Sequence, residues 1–412
     1  MDKKPTEKLW TPDFVKIIII NFFVFLNHLM ILSTFPFFVS YLGYSDSVAG
    51  ACSTVFSLIA VISRPFIGWM LDTGKRKAIL LAGLCGMALM PLGYLLIYTA
   101  VSSIVLTFIC RMIHGWALAC SNTSTSTITT DMIPKTRFSE GMGMFGMATA
   151  LATACGPALG EALMGMGFSV LFLTGTIIII INLILFATLK TKKIEMPKKP
   201  LSLTSLIEKN ALPASLVILI FLLTYGALEN YILKFVAGEN DITLSGGLYF
   251  TVMAAMILVT RILLGKVTDR RGEAVFVYSC NGAMLAALLL IALIPNNATF
   301  LLSAVLSGYG FGGLEPALQS MAVSVAPPER RGAANSTFLC AYDIGIGAGG
   351  GIAGVLIDTV GYHKMFLIIS VAAVISVIAY LIWGRHHVSS ITWRIRNPEQ
   401  YQEYCRTHAS QH

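Results

Sequence analysis

The stretch GWMLDTGKRK (Gly68–Lys77) recurs in the second half of the chain as GKVTDRRGE (Gly265–Glu273), offset by 197 residues. Each copy follows a long apolar run that carries one arginine, Arg64 in the first copy and Arg261 in the second. In both copies a glycine lies four residues after that arginine, and an aspartate lies eight residues after it. A chain that repeats a charged loop half its length later is expected to consist of two similar helical bundles, arranged as parallel repeats.

The composition is that of an integral membrane protein. Of 412 residues, 56% are hydrophobic and 12% are charged, with a mean hydropathy of +0.75, whereas soluble domains carry about 25% charged residues. A helix needs roughly 20 apolar residues to cross the hydrocarbon layer of a membrane. The sequence predicts twelve such runs, at residues 15–40, 47–71, 77–99, 102–129, 139–164, 168–189, 212–236, 244–268, 274–295, 299–325, 332–358 and 363–384. No cleavable signal peptide is expected, because the N-terminus is polar and the first run is too long for one.

The distribution of basic residues predicts the topology. With a cytoplasmic N-terminus, 24 of the 29 lysines and arginines fall on the cytoplasmic side. Three more (Arg64, Arg111 and Arg261) lie within spans, and only Lys234 and Lys364 lie near the outer face. Because basic loops stay in the cytoplasm, we predict a multi-pass plasma-membrane protein, of bacterial type, with both termini cytoplasmic. Topology then explains the net charge of +8, and no nucleic-acid partner is expected.

The longest polar interruption divides the chain into halves. Residues 190–211 contain two prolines and six basic residues, which is typical of a cytoplasmic linker. We therefore predict a first six-helix bundle at residues 1–189 and a second at 212–384. Residues 385–412 are polar, and basic near the membrane, and are expected to form a mobile cytoplasmic tail.

Neither a metal site nor a nucleotide site is predicted. The eight cysteines form no CxxC pair, and seven of them lie inside predicted helices, as small packing residues do. The GxxxxGK[ST] pattern of nucleotide-binding loops is absent. We therefore expect no cofactor and propose an ion gradient as the energy source, with protons as the first choice and sodium as the alternative.

A second repeat supports the first. DMIPKTRFSEG (Asp131–Gly141) precedes span five, and SVAPPERRGAA (Ser324–Ala334) precedes span eleven. Aligning the first prolines of the two segments also aligns their first arginines. Two repeated loops in corresponding order favour duplication over chance.

Over essentially its whole length the sequence resembles the major facilitator superfamily. That resemblance implies an all-α membrane fold of twelve transmembrane helices in two pseudo-symmetric six-helix bundles. The loop between spans two and three of that family reads G-x-x-x-D-[RK]-x-G-[RK]-[RK]. In the first repeat Gly68, Asp72, Arg76 and Lys77 match it, while Thr73 and Lys75 depart. In the second repeat Gly265, Asp269, Arg270 and Gly272 match it, while Glu273 departs.

Two further patterns resemble those of exporters. Span five resembles G-x8-G-x3-G-P-x2-G through Gly143, Gly156, Pro157 and Gly160, with Ala152 in place of the second glycine. Span four carries Arg111, His114 and Gly115, similar to R-x-x-Q-G with histidine in place of glutamine. Together these patterns favour export over uptake. Gly156-Pro157 is also expected to kink span five and, with Gly160, to form a packing surface for conformational change.

The resemblance also implies gating roles at the cytoplasmic ends of the spans. Asp72 is expected near the N-terminus of span eleven, where the helix dipole is positive. Asp131 or Glu140 is expected to complete a charge relay with Arg76. The predicted gating residues are Gly68, Asp72, Arg76, Asp131, Glu140, Gly265, Asp269 and Arg270, together with Gly156, Pro157 and Gly160 in span five. The alternative interpretation is that these charges only set the topology.

Charged and titratable residues inside spans are costly, and they normally face a cavity or a partner. Glu315, Asp343, His28 and His114 are therefore candidates for proton coupling. Because spans one, four, seven and ten line the cavity in the resembled family, the substrate candidates are Asn27, Arg111, Glu229 and Glu315. The alternatives are an ion pair of Glu315 or Asp343 with Arg111 that fixes helix register, and hydrogen-bonded core histidines. For Arg64 and Arg261 the alternatives are snorkelling or structural pairing on one side and coupling on the other.

The leading hypothesis is a proton-coupled exporter of a small amphipathic or zwitterionic molecule, such as a drug, a metabolite or a secreted chelator. The runner-up is a proton-coupled symporter that imports an organic acid or nutrient, with Arg111 binding a carboxylate. A non-transporting membrane sensor or scaffold is the hypothesis from another class, and an enzyme is not expected. The expected partners are a small-molecule substrate and the lipid bilayer, and a monomer suffices for function.

Overall fold

A computed structural model describes residues 9–72, 74–134, 138–190, 207–324, 326 and 331–408. At positions 72, 138–140, 142–143, 262–271, 331–332 and 404–408 it describes the backbone but not the side chains. Within these ranges the chain folds into helices joined by short turns, without a β-strand.

Twelve long helices follow one another in the described part of the chain. They are α1 (Pro12–Tyr41), α2 (Asp46–Asp72), α3 (Arg76–Leu96), α4 (Ile104–Met132), α5 (Phe138–Gly165), α6 (Phe168–Ala187), α7 (Leu212–Gly238), α8 (Gly246–Arg271), α9 (Ala274–Leu293), α10 (Asn297–Ser324), α11 (Arg331–Val360) and α12 (Tyr362–Ala379). Short π-helical turns extend α3 through Ile97–Val101 and α12 through Tyr380–Gly384. With these turns included, the twelve predicted runs agree with the helices to within three residues at either end.

Local sequence signals set several helix ends. The Thr11 hydroxyl accepts a hydrogen bond from the Phe14 amide at 3.2 Å, and Ser103 caps α4 in the same way. Such caps satisfy amide groups that have no partner inside the helix. Gly167, with φ of 115°, allows the tight turn between α5 and α6, and Gly361, with φ of 81°, allows the turn between α11 and α12.

Nine of the described helices are long and apolar enough to cross a membrane. Large apolar side chains are exposed on their outer surfaces, including Val105 and Ile184, each at 65%. Contiguous apolar surface of this kind is stable against lipid rather than water. The chain is therefore a multi-pass membrane protein.

The described residues divide into two compact units by their internal contacts. Unit 1 combines the described residues up to Lys190 with Asn230–Ala237 of α7 and with Ser245–Ala254, which includes the first turns of α8. Unit 2 contains the other described residues from position 207 onward. The predicted domain limits follow the sequence halves and stay a prediction, since residues 191–206 of the linker lie outside the described residues.

In unit 1, α1 and α5 pack closely because α5 presents glycines to α1. A Cβ atom on Gly160 would lie 2.5 Å from the Met30 carbonyl oxygen, and one on Gly156 would lie 2.9 Å from the Leu29 Cβ. Pro157 lies between these contacts on the same helix. The predicted packing surface of span five is thus in contact with α1.

Segments of α7 and α8 also belong to unit 1, and polar contacts hold them there. Lys234 on α7 forms an ion pair with Asp46 at the start of α2 and donates to the Ser40 hydroxyl at 2.6 Å. Glu161 on α5 accepts hydrogen bonds from the amides of Gly246 at 3.1 Å and Gly247 at 2.6 Å. A carboxylate at this position satisfies free amides of the first turn of α8 and complements its positive dipole.

In unit 2, glycines on α11 face α7. Cβ atoms on Gly345 and Gly349 would lie within 3 Å of Leu222 and Leu223, respectively. A hydrogen bond from the Ser376 hydroxyl of α12 to the Val217 carbonyl of α7, at 3.0 Å, joins these two helices. These contacts join α7, which carries Glu229, to α11, which carries Asp343, and to α12.

Candidate functional site

Unit 1 contains a buried group of Arg111, His28 and His114, called here the basic cluster. Arg111 on α4 is completely buried, and its guanidinium carbon lies 3.3 Å from the centre of the Phe35 ring. The rings of Phe56 and Tyr94 lie at 5.5 Å and 5.9 Å from the same carbon. Aromatic faces attract a desolvated guanidinium by about 2 kcal/mol or more. An aromatic box therefore holds the Arg111 charge inside the helix bundle.

Within the described part of the chain, the Arg111 guanidinium has no carboxylate partner. Its three nitrogens are buried and make no hydrogen bond of good geometry there, and its polar interaction is with the Tyr94 side chain. Moving an ion out of water costs several kcal/mol, and the aromatic contacts offset only part of that cost. A positive charge kept in this state is well suited to bind an anionic group.

The two histidines of the cluster lie side by side. The His28 ring stacks on the Phe56 ring with 5.1 Å between ring centres. The His114 ring lies edge-on to the His28 ring, with 6.2 Å between their centres. The Tyr94 hydroxyl and His114 Nδ1 are 3.2 Å apart, in a hydrogen bond whose direction depends on the tautomer. His28 Nδ1 and His114 Nε2 have no hydrogen-bond partner among the described residues. Each ring therefore has a buried nitrogen without a hydrogen-bond partner in that part of the chain.

Unit 2 contains an ion pair between Glu315 on α10 and Arg261 on α8, with 2.5 Å between Oε2 and Nη2. The partner that the sequence suggested for Glu315 was Arg111, and that expectation is corrected. The cause is the close approach of α8 and α10 one turn earlier, where a Cβ on Gly312 would lie 2.9 Å from the Ile257 Cα. Arg261 is therefore paired, and a role of this pair in coupling stays a prediction.

The predicted carboxylates of unit 2 come together around Tyr342 on α11. The charges of Glu315, Glu229, Asp343 and Arg261 all act on this side chain. We call these four charged residues, with Tyr342, the acidic cluster. Three carboxylates and one arginine give it an excess of negative charge when all are ionised.

Aromatic rings form one wall of the acidic cluster. The Tyr225 and Phe311 rings stack with 4.1 Å between their centres, and Tyr342 lies 6.3 Å from Phe311. The Tyr225 hydroxyl donates to Glu229 Oε1 at 3.5 Å, one helical turn along α7. Like the basic cluster, the acidic cluster combines charge with aromatic faces.

Asn27, a predicted substrate residue, has a packing contact. It is fully buried, and its side-chain amide donates to the Gly175 carbonyl of α6 at 2.8 Å. This bond joins α1 to α6 beside the basic cluster. A role in substrate binding stays a prediction for this residue.

Of the predicted gating residues, the structure brings Arg76 and Asp131 together as an ion pair between the start of α3 and the end of α4. Among the described residues, no atom lies within 4 Å of a Cβ placed on Gly68. For five other predicted gating residues, the structure describes the backbone but not the side chain: Asp72, Glu140, Gly265, Asp269 and Arg270. Their roles stay predictions.

Sequence reasoning missed the aromatic partners and one acidic residue. Phe35, Phe56 and Tyr225 looked like ordinary apolar positions, since a ring beside a charge leaves no mark in hydropathy. Glu273 was noted only as a departure from the family pattern, yet it is fully buried and accepts several hydrogen bonds. The signal for Glu273 was the repeat itself, because the 197-residue offset places it at the position of Arg76.

An apolar groove of about 300 Å³ lies between α2, α3 and α4. Phe66, Trp116 and Lys75 are among its lining residues, and none of the predicted site residues is. Phe66 is half exposed. In the described side chains, no group of three or more histidine, cysteine or acidic residues could hold a metal ion.

Comparison with known proteins gives the family. The sequence pattern of the Major Facilitator Superfamily matches residues 17–295 and 244–398. The chain belongs to this superfamily and is a secondary transporter rather than an enzyme. An uncharacterized MFS-type transporter of Burkholderia pseudomallei is 27% identical over 375 residues, which are 88% of this chain and 90% of that one. The uncharacterized MFS-type transporter YhhS of Escherichia coli is 25% identical over 401 residues, 94% of each chain.

Solved structures share the fold. The nucleoside transporter NupG, in a mutant form, superimposes with a TM-score of 0.74 at 15% identity, covering 90% of this chain and 99% of that one. A POT family transporter in complex with 5-aminolevulinic acid also gives 0.74 at 15% identity, covering 90% and 96%. The human organic anion transporter MFSD10 gives 0.66 at 17% identity, covering 90% and 99%. At these identities the likeness concerns the fold alone.

Proposed function

We propose that the protein is a proton-coupled exporter of a small amphipathic or zwitterionic molecule that carries an anionic group. A drug, a metabolite and a secreted chelator all fit this class. The transporter works by alternating access as a monomer in a bacterial plasma membrane, with both termini in the cytoplasm and a proton gradient as its energy source.

The single observation that carries this proposal is the buried Arg111 without a carboxylate partner in the described part of the chain. A carboxylate or phosphate accepts hydrogen bonds from two guanidinium nitrogens at once, which a neutral group does poorly. The aromatic faces of Phe35 and Phe56 suit the apolar part of an amphipathic cargo.

The ion pair of Glu315 and Arg261 supports coupling to protons. A proton on the Glu315 carboxylate removes its charge and leaves Arg261 without a counter-charge at 2.5 Å. Since both side chains are at least half buried, this change alters the balance between conformations by more than a surface pair would. Asp343, which acts on the same tyrosine, is the second candidate for the coupled proton.

The direction of transport rests on the sequence patterns. The resemblance of Arg111-x-x-His114-Gly115 and of the α5 glycines to exporter patterns favours efflux. In this scheme, protonation from the outside at Glu315 or Asp343 drives the return of the empty transporter, so that proton uptake and cargo release exclude each other.

Import of an organic acid by proton symport is the second candidate, favoured by the same buried Arg111. A membrane sensor without transport is the third. The POT family neighbour in complex with 5-aminolevulinic acid carries a bound zwitterion, which suits an exporter and an importer of this class equally.

The test is a comparison of metabolites in cells and medium between a strain that lacks the gene, the parent strain and a strain that carries Arg111→Ala. We expect one or a few anionic or zwitterionic compounds to accumulate in the deletion cells and to decrease in their medium. The Arg111→Ala strain should show the same change at equal protein abundance. Depletion from the deletion cells would instead indicate the importer, and identical profiles in all three strains would contradict transport of a metabolite.

A further inference from the structure

The two repeated loops place different residues at corresponding positions. The 197-residue offset of the first repeat puts Glu273 at the position of Arg76. Alignment of the second repeat by its prolines, Pro134 with Pro327, puts Ser324 at the position of Asp131. A cation and an anion in the first half thus become an anion and a neutral hydroxyl in the second half.

In the first half, these two positions contact each other directly. Arg76 is the first residue of α3, Asp131 lies in the last turn of α4, and the two form an ion pair. Arg76 is buried, with 7% of its surface exposed. The pair therefore fastens the start of one helix to the end of the next.

In the second half, Glu273 contacts the C-terminal segment instead. Its Oε1 accepts hydrogen bonds from the Ser390 hydroxyl at 2.5 Å and the Tyr380 hydroxyl at 2.8 Å. Its Oε2 accepts one from the Thr392 amide at 3.0 Å. The Thr392 hydroxyl in turn accepts from the amide of Ala274, the first residue of α9, at 3.1 Å.

The position equivalent to Asp131 contacts the same segment. Arg394 donates to the Ser324 hydroxyl at 2.6 Å. That hydroxyl lies 3.5 Å from the Ser389 carbonyl oxygen and 3.1 Å from its nearer acceptor, the Met321 carbonyl oxygen. Thr392 and Arg394 belong to a short helix, Ile391–Arg396, which is capped by the Ser390 hydroxyl. The segment expected to be a mobile tail is therefore folded against the ends of α9 and α10.

Glycine 272 makes room for this contact. Its φ of +79° is one that other residues rarely adopt, and a Cβ there would lie 2.7 Å from the Thr392 Cα. The carboxylate that anchors the segment is fully buried, and a buried carboxylate that loses its donors is strongly disfavoured. The loop therefore contacts Thr392 of the segment through two neighbouring residues, Gly272 and Glu273.

We propose that residues Ser389–Arg396 are an internal brace that takes the place of the Arg76–Asp131 ion pair in the second half. The brace connects the start of α9 to the end of α10 through Glu273 and Ser324, and it holds the end of the repeated loop in one position. The C-terminal segment consequently stabilises the second half of the transporter, independently of the cargo.

Hydrogen–deuterium exchange of the purified full-length protein, read by mass spectrometry, tests the brace. Truncation after Val388 should raise exchange in peptides that cover residues 273–278 by about tenfold or more, because hydrogen bonds to a charged group are lost. Truncation after Asn397 is the matched control, since it keeps the brace and should leave these peptides unchanged. Equal exchange in all three proteins would overturn the proposal.

A transplanted ion pair gives the sharper test. In the chain truncated after Val388, Glu273→Arg combined with Ser324→Asp recreates the pair of the first half and should restore slow exchange, whereas Glu273→Arg alone should not. If the truncation raises exchange and the double substitution does not lower it again, the brace and the ion pair are not equivalent. Should the truncated chain fail to fold, full-length Ser390→Ala/Thr392→Ala serves instead, and unchanged exchange of residues 389–396 in that variant would contradict the brace.

Discussion

Three charged residues within the helices illustrate how individual residues divide between stability and function. Arg76 has Asp131, and Glu315 has Arg261, so each of these charges is compensated by an opposite one. Arg111 has aromatic rings and no carboxylate partner among the described residues. A charge without a counter-charge costs stability, and such a cost is typical of positions that serve binding.

Replacement of Arg111 by methionine should therefore stabilise the protein while it abolishes transport. The expected gain is about 1–4 kcal/mol, as seen when apolar residues replace buried charges. Thermal unfolding in detergent, followed by intrinsic fluorescence, measures it. Arg76→Met is the matched control, because it leaves the partly buried Asp131 without its partner and should destabilise. Equal destabilisation by both substitutions would indicate a stabilising counter-charge at Arg111 and contradict this prediction.

At the scale of single helices, glycine positions decide which helices approach each other. Gly156 and Gly160 let α5 contact α1, Gly312 lets α10 contact α8, and Gly349 lets α11 contact α7. The α8–α10 contact has a direct consequence for the site, because it brings Arg261 to Glu315 one turn later. Backbone proximity of this kind is common where small residues line membrane helices.

Gly160→Ala should destabilise unit 1 by about 1–3 kcal/mol, as overpacking does, because the added methyl group would overlap the Met30 carbonyl. Gly165→Ala on the same helix is the control, since no atom of the described residues lies within 4 Å of its Cβ position. The midpoint of thermal unfolding of the two variants provides the comparison. If Gly160→Ala unfolds at the same temperature as Gly165→Ala, α1 and α5 do not pack as described.

At the scale of the whole molecule, the sequence was sufficient for the helices and insufficient for the contacts. Helices were predictable because a crossing needs about 20 apolar residues, and because a helix pairs all of its backbone polar groups within one such segment. The candidates Glu229, Glu315 and Asp343 were found because charge is rare inside spans. The partner of Glu315 was predicted wrongly, since it depends on the approach of α8 to α10. The docked C-terminal segment was missed because its polar composition resembles that of a free tail.

The duplicated architecture predicts that the two repeated loops lie on the same side of the membrane. Single cysteines in place of Lys75 and Arg271, polar residues of the two loops, introduced into a chain without its eight native cysteines, should both react with a membrane-impermeant maleimide only from the cytoplasmic side. Labelling of intact cells and of inverted vesicles distinguishes the two sides. Reaction of the two positions from opposite sides would refute the parallel repeat.

Proton-driven transport by purified protein tests the central claim most directly. Proteoliposomes are loaded with the compound that the deletion strain accumulates, and its movement is followed after a pH gradient is imposed. Wild type and Glu239→Gln, which changes an acidic residue paired with His363 away from both clusters, should move the compound against its gradient. Glu315→Gln and Asp343→Asn should each lose the dependence on pH. If both of these variants retain wild-type, pH-driven transport, the proposed proton coupling is wrong.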